Sequence, residues 1–304
     1  MNFGQEQYAG VNRLLNERFG NYGTLIAVHR GTASGSIVEN TAAAVTAALA
    51  SGGDIIEIDV VGSTDGEFFA FHDGNELRLC GVDKDMRAMD NAGIRDLRYR
   101  WVDRPGRTAS VEPLVELLSS FKGSTLFNLD RSWHWWPTLL PVLAQLNMAD
   151  QLLLKCAAGN HQAISVLRAS PVKFPFMPIC RTLEEAQFHL RDEELNTVGV
   201  ELIAPGPGSA FLDPEIHRVL NTAGVFTFVN AEVLSTGIAL FANYDDEEAV
   251  LGSPATGWEP LFELGANVIQ TDWPWLLRDY RWLREQHGRS GDQAAVALGE
   301  YVGR

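Results

Sequence analysis

Asp54-Ile55-Ile56-Glu57-Ile58-Asp59-Val60-Val61 is the stretch on which the reading of this chain turns. It is short and rich in β-branched residues, so it reads as a buried strand and not a helix. Side chains two apart on a strand project to one face, which places Glu57 and Asp59 side by side. Two acids on one face of an apolar strand repel each other and are costly to bury unless a cation joins them. The competing reading is a hairpin with a solvated face. The apolar flanks Ile55, Ile56, Val60 and Val61 speak against it.

After Val61 the chain runs Gly62-Ser63-Thr64-Asp65-Gly66-Glu67 into Phe68-Phe69-Ala70-Phe71-His72-Asp73. Asp-Gly between apolar runs is a hairpin signal. With Asp65-Gly66 as a two-residue loop, Thr64 faces Glu67, and counting outward Asp59 faces His72. Directly opposed residues share a face with Cα atoms roughly 4.5–5.5 Å apart, and a β-bulge would shift the register by one. Upstream, Thr24-Leu25-Ile26-Ala27-Val28 is a second strand, ending in His29-Arg30-Gly31. Arg30 offers a planar fork suited to phosphate. Gly31 permits close backbone approach.

Working outward, strand-like runs recur at 24–28, 54–61, 125–130, 151–156, 173–179, 197–203, 225–229 and 267–271. Helical stretches lie between them, among them 41–50, 114–121, 137–146, 183–190, 213–220 and 275–285. Such alternation predicts an α/β fold, a (β/α)8 TIM barrel. The 304 residues then form a single domain, since barrels of this kind run that long. The amphipathic stretch 5–19 is expected to cap the barrel base. The segment 74–112 is too long for a plain βα loop.

A barrel carries its chemistry at the C-terminal ends of its strands. His29, Glu57, Asp59 and Asp130 all fall there, as do Lys155, Glu201 and Asn230. Three carboxylates without clustered His or Cys suit one hard divalent cation, Mg²⁺ or Ca²⁺, with Glu57, Asp59 and Asp130 as ligands. His29 and His72 form the candidate acid–base pair, because a histidine pKa near neutrality suits both tasks. Which of them is acid and which base is left open.

The ordered set His29-Arg30-Gly31, Glu39-Asn40-Thr41, Glu57-Ile58-Asp59 and His72-Asp73 resembles the glycerophosphodiester phosphodiesterase family. Gly265-Ala266-Asn267-Val268-Ile269-Gln270-Thr271-Asp272 is similar to it more loosely. The resemblance implies a barrel with a small insertion after strand two, here about 74–112. It also implies hydrolysis of a small phosphodiester, with Glu39 and Asn40 bracing the site. Strand three departs from the pattern: Asn128-Leu129-Asp130-Arg131-Ser132 has Asp where the family usually holds Glu, and Ser where it holds Lys. Lys155 either restores that cation from the next strand or snorkels at a strand end. Trp133, in Trp133-His134-Trp135-Trp136, either walls an alcohol pocket or buries against the insertion. Arg30, Lys155, Glu201 and Trp133 are thus the substrate-binding candidates, Glu201 toward a hydroxyl. Asp272, before Trp273-Pro274, reads as a helix N-cap. His161, His189 and His217 read as surface residues.

The formal charge of −15 excludes nucleic acid and stable docking on anionic lipid as partners. The N-terminus shows no signal peptide, no apolar run is long enough to span a bilayer, and three widely spaced cysteines read as reduced thiols. Together these point to the cytoplasm. Glycerophosphodiesters, or sugar phosphodiesters, are the expected substrates. Two other readings stay open. One is a sphingomyelinase D-like lyase that forms a cyclic phosphate. The other is a barrel that binds a phosphorylated ligand without turnover.

Overall fold

The computed structural model describes residues 2–31, 36–100, 106, 108–234 and 236–286. Eight strands run parallel: β1 (Leu25–Val28), β2 (Ile55–Gly62), β3 (Leu126–Asp130), β4 (Leu152–Ala157), β5 (Phe176–Cys180), β6 (Gly199–Leu202), β7 (Phe226–Asn230) and β8 (Val268–Thr271). Each pairs with its neighbours in chain order, and β1 pairs with both β2 and β8, which closes the sheet into a barrel. Helices Ala42–Ala50, Leu114–Ser120, Trp136–Gln145, His161–Ala169, Leu183–Phe188, Pro214–Thr222, Glu259–Glu263 and Pro274–Gln286 alternate with the strands. The architecture is the expected (β/α)8 TIM barrel.

Strand alternation sorts the side chains. One set packs outward under the helices, with Ile26, Val28, Ile56, Ile58, Val60, Phe127 and Leu129 among its members. The other points into the lumen. Its lower layer is apolar, with Leu25, Ala27, Ile55, Leu126, Leu153, Met177, Phe226, Phe228 and Val268. Gly199 gives Phe226 its place there, since a Cβ at 199 would lie 2.3 Å from that ring. Phe3, Leu15 and Phe19 close this layer from below, the last two from helix Ala9–Tyr22, so the N-terminal segment caps the base as expected. Further along the same inward-facing positions the residues turn polar: Glu57, Asn128, Lys155, Glu201, Asn230 and Gln270 are all buried. The lumen is therefore sealed at one end and charged at the other.

The insertion follows β2. Strand Phe68–Ala70 returns antiparallel along β2, Glu112–Pro113 adds beside it, and helices Glu76–Cys80 and Asn91–Asp96 lie between. Val61, Phe69, Phe71, Met86, Ile94 and Tyr99 give this segment its own apolar cluster. Residues 101–105 and 107 of the expected insertion lie outside the described residues, as do residue 1 and 287–304 of the expected single domain.

The hairpin register differs from the sequence reading by one residue. Gly62 pairs with Phe68 and Val60 with Ala70, and Ser63 N donates to Glu67 O. The loop is thus the three residues Thr64, Asp65 and Gly66. Gly66 takes φ +94°, a conformation that glycine alone adopts without strain. Asp59 consequently meets Phe71, whose N–H donates to Asp59 O at 3.1 Å, and not His72. The extra loop residue is the physical reason, because turn length sets register.

Candidate active site

Glu57 and Asp59 on β2 stand in register with Asn128 and Asp130 on β3. This brings one carboxylate oxygen from each of Glu57, Asp59 and Asp130 within 4.8 Å of the others. Arg30 follows β1 in a left-handed conformation, φ 52°. There its backbone N–H donates to Glu57 Oε2 at 2.7 Å, while its side chain reaches Glu39 at 2.7 Å and Asp59 at 3.4 Å. Asn40 takes Asp59 from both sides: Nδ2 donates to Oδ2 at 3.0 Å and Oδ1 accepts from the Asp59 N–H at 2.9 Å. Thr41, and neither Glu39 nor Asn40, caps the following helix, accepting from Ala44 N. Glu39 and Asn40 brace the carboxylates instead. Arg78 of the insertion adds a bond to Glu39 at 2.6 Å.

The donor set fits a hard divalent cation. Glu57 Oε1 is buried without a hydrogen-bond partner among the described residues. Burial, and after it the neighbouring Asp59, pushes the Glu57 carboxyl well above the usual carboxylate range. An oxygen-only cluster of this kind is what a hard divalent cation would relieve.

Lys155 lies fully inside the barrel, 2.8 Å from Asp130 and 3.0 Å from Glu201. Burial opposes its charge, but the two carboxylates overcome this and hold its pKa well above the ordinary value. Burial likewise opposes the charge of Asp130, and Lys155 outweighs it, keeping that carboxyl below the usual range. Lys155 thus serves the acids directly. Ser132, where the resemblance implies a lysine, is buried, donating to Leu129 O and accepting from Trp136 Nε1.

His29 Nδ1 donates to Asp272 Oδ1 at 2.9 Å. Burial works against its protonation, yet Asp272, Glu232 and Glu57 prevail and raise its pKa to about 10. His72 Nδ1 donates to Asp73 O at 2.7 Å, and Asp73 is gripped by Arg131 at 2.5 Å and Arg87 at 3.0 Å. No hydrogen bond or ion pair among the described residues joins His72 to the three acids. Trp133 is half-buried against the main core, its ring 5.2 Å from that of His134.

Three expectations are corrected. Asp272 is not a helix cap: its carboxylate holds His29. His189 and His217 are buried, not surface residues; His189 Nε2 bonds Ala158 O, and His217 bonds Thr227 and Phe211 O. Glu232 went unnoticed in the sequence. It lies two residues beyond Asn230, in phase with the inward face of β7, and that phase was the signal available.

The fold and site together define a (β/α)8 barrel with a cation-seeking carboxylate cluster and a carboxylate-held histidine at its C-terminal mouth. Residues 29–165 match the model of the glycerophosphoryl diester phosphodiesterase family. No curated protein matches the chain. Among solved structures, a putative glycerophosphodiester phosphodiesterase from Galdieria sulphuraria superposes with TM-score 0.63 at 18% identity, over 85% of this chain and 98% of that one. A glycerophosphoryl diester phosphodiesterase from Parabacteroides distasonis gives 0.65 at 17%, over 86% and 88%. A phosphodiesterase from Oleispira antarctica, in complex with the product sn-glycerol-3-phosphate, gives 0.60 at 18%, over 86% and 97%. At such identities these likenesses speak for the fold.

Proposed function

We propose that the chain is a metal-dependent phosphodiesterase that hydrolyses a small soluble diester, a glycerophosphodiester or a sugar phosphodiester. The observation that carries this is the approach of Glu57, Asp59 and Asp130 within 4.8 Å, with one buried Glu57 oxygen left without a partner among the described residues. These three residues would hold Mg²⁺ or Ca²⁺, which when bound supplies positive charge to a phosphate oxygen as phosphorus becomes five-coordinate. Arg30, already fixed between Glu39 and Asp59, presents the rest of its guanidinium toward the same phosphate. His29, kept protonated by Asp272, gives its proton to the leaving alkoxide. His72 takes the proton of the attacking water. Lys155, beside Asp130, supplies on the phosphate side the cation that Ser132 does not, while Glu201 bonds a hydroxyl of the alcohol and Trp133 packs against it. No helix among the described residues is long and apolar enough to cross a membrane. The three cysteines are free and buried, which fits the cytoplasm.

The test is hydrolysis of bis(p-nitrophenyl) phosphate and glycerophosphocholine after EDTA treatment, with Mg²⁺, Ca²⁺ or Mn²⁺ restored. Cleavage that returns with the metal is expected, with Glu57→Gln weakening metal affinity and His29→Ala or His72→Ala losing turnover while metal still binds. Equal rates with and without chelator, or no cleavage of either diester by folded, metal-loaded protein, would overturn the reading.

A further inference from the structure

Glu232 and Gln270 meet at the barrel mouth, where β7 and β8 run side by side. Gln270 Nε2 donates to Glu232 Oε1 at 2.9 Å and to Asn230 Oδ1 at 3.2 Å, which uses both its hydrogens. Asn230 Nδ2 in turn donates to Glu201 Oε1 at 2.8 Å, and Lys155 reaches Glu201 Oε2 at 3.0 Å. Two oxygens of this chain are left over. Glu232 Oε2 and Gln270 Oε1 are both buried without a hydrogen-bond partner among the described residues. Each sits one carbon away from the same N–H···O bond. Glu232 is 5% exposed and Gln270 2%, so neither residue is open to solvent.

Two enclosed, unpartnered acceptors on groups already joined by one hydrogen bond are costly, because neither oxygen can donate to the other. One proton on Glu232 removes both deficits. The O–H then donates to Gln270 Oε1 beside the existing N–H···O bond, as a carboxylic acid and a carboxamide pair when both edges are matched.

We propose that Glu232 stands in the folded protein as a neutral acid donating Oε2–H to Gln270 Oε1, and that through its charge it is a positioning residue for His29. The charged groups acting on Glu232 are His29, which follows β1, and Asp272, which follows β8; Asn230 and Gln270 supply the neutral amides around it. Burial pushes the Glu232 carboxyl up to about 7, in the direction the geometry requires, while His29 works the other way. With Glu232 neutral, the carboxylate paired with His29 is Asp272. Ionisation of Glu232 adds a second negative charge and tightens the hold of His29 on its proton. The consequence for catalysis rests on His29 being the proton donor; the protonation of Glu232 does not.

The carboxyl carbon of Glu232, followed by ¹³C NMR in the full chain with and without Mg²⁺ and assigned by its loss in Glu232→Gln, tests the first part. A neutral acid at pH about 6, titrating near 7, is expected. Glu232→Gln keeps a donor where the acid has one, so the variant folds. The sign of its effect follows from linkage. A raised carboxyl pKa stabilises the fold below the unfolded value of about 4.5, and that stability is lost as pH rises through about 7. The variant therefore loses the fall in melting temperature that the wild type shows across that window. An ionised Glu232 at pH about 6 overturns the proposal, whatever the protein hydrolyses. His29 must also titrate at lower pH in Glu232→Gln than in the wild type, and an unchanged His29 titration overturns the positioning role. Neither readout uses turnover, so failure of the diester assay and failure of this inference are told apart.

Discussion

At the scale of single residues the site consists of charges that constrain one another. His29 is 29 residues into the chain and Asp272 is 243 further on, yet their 2.9 Å bond decides what His29 can do. Because its pKa is raised from 6.5 to about 10, His29 carries its proton through the neutral range. A rate that needs that proton should hold to high pH and fall only above the pKa. Asp272→Asn removes the paired charge, so the alkaline limb of kcat should move down by at least about one pH unit, a factor of ten in proton affinity. The same pairing stabilises the fold fully below the unfolded pKa of 6.5 and loses that contribution as pH rises through about 10. A kcat profile with an unmoved alkaline limb in Asp272→Asn would remove His29 as the proton donor. The motif residues His29, Arg30, Glu57, Asp59 and Asp130 were legible because each type is rare at the end of an apolar strand. Asp272 was not, since an acid before Trp-Pro has an ordinary explanation as a cap.

At the scale of elements the hairpin after β2 shows how one loop residue redirects a site. The three-residue loop ends on Gly66 at φ +94°, and a Cβ there meets nothing within 4 Å. Gly66→Ala therefore tests conformation without a clash. It should lower stability by roughly 1–2 kcal/mol, read from denaturant unfolding, through backbone strain alone. No measurable loss would mean that Gly66 does not hold this left-handed conformation. With the observed register, Phe71 faces Asp59, and His72 lies beyond the paired strand, held through Asp73 by Arg87 and Arg131. The insertion reaches the site as well, through Arg78 on Glu39. Its existence was readable from length, but its contacts were not, because they join segments with no shared periodicity.

At the scale of the whole molecule the barrel works as a sealed cup. Its lumen is apolar below and charged above, and helix Ala9–Tyr22 closes the bottom with Leu15 and Phe19. Phe19 rests on Phe3 and Phe226, with ring centroids 4.7 and 5.3 Å away. Phe19→Ala should lower stability by roughly 3–5 kcal/mol, seen as a lower denaturation midpoint, and its effect should fall on stability far more than on metal affinity at the opposite end. A comparable loss of metal affinity would show the two ends to be coupled. A chain of charge −15 tolerates the carboxylate-rich mouth because Arg30 and Lys155 lie within it, and the proposed cation would add to them.

The sequence by itself determined the order of strands and helices, the inward phase of each strand and the residue types at the strand ends. Alternation and composition are properties of neighbours along the chain, and they survive any register. Only the tertiary structure decided which strand ends face one another. It set Asp272 against His29, Lys155 between Asp130 and Glu201, and Glu232 against Gln270, because barrel closure and stagger bring together residues that share no local pattern.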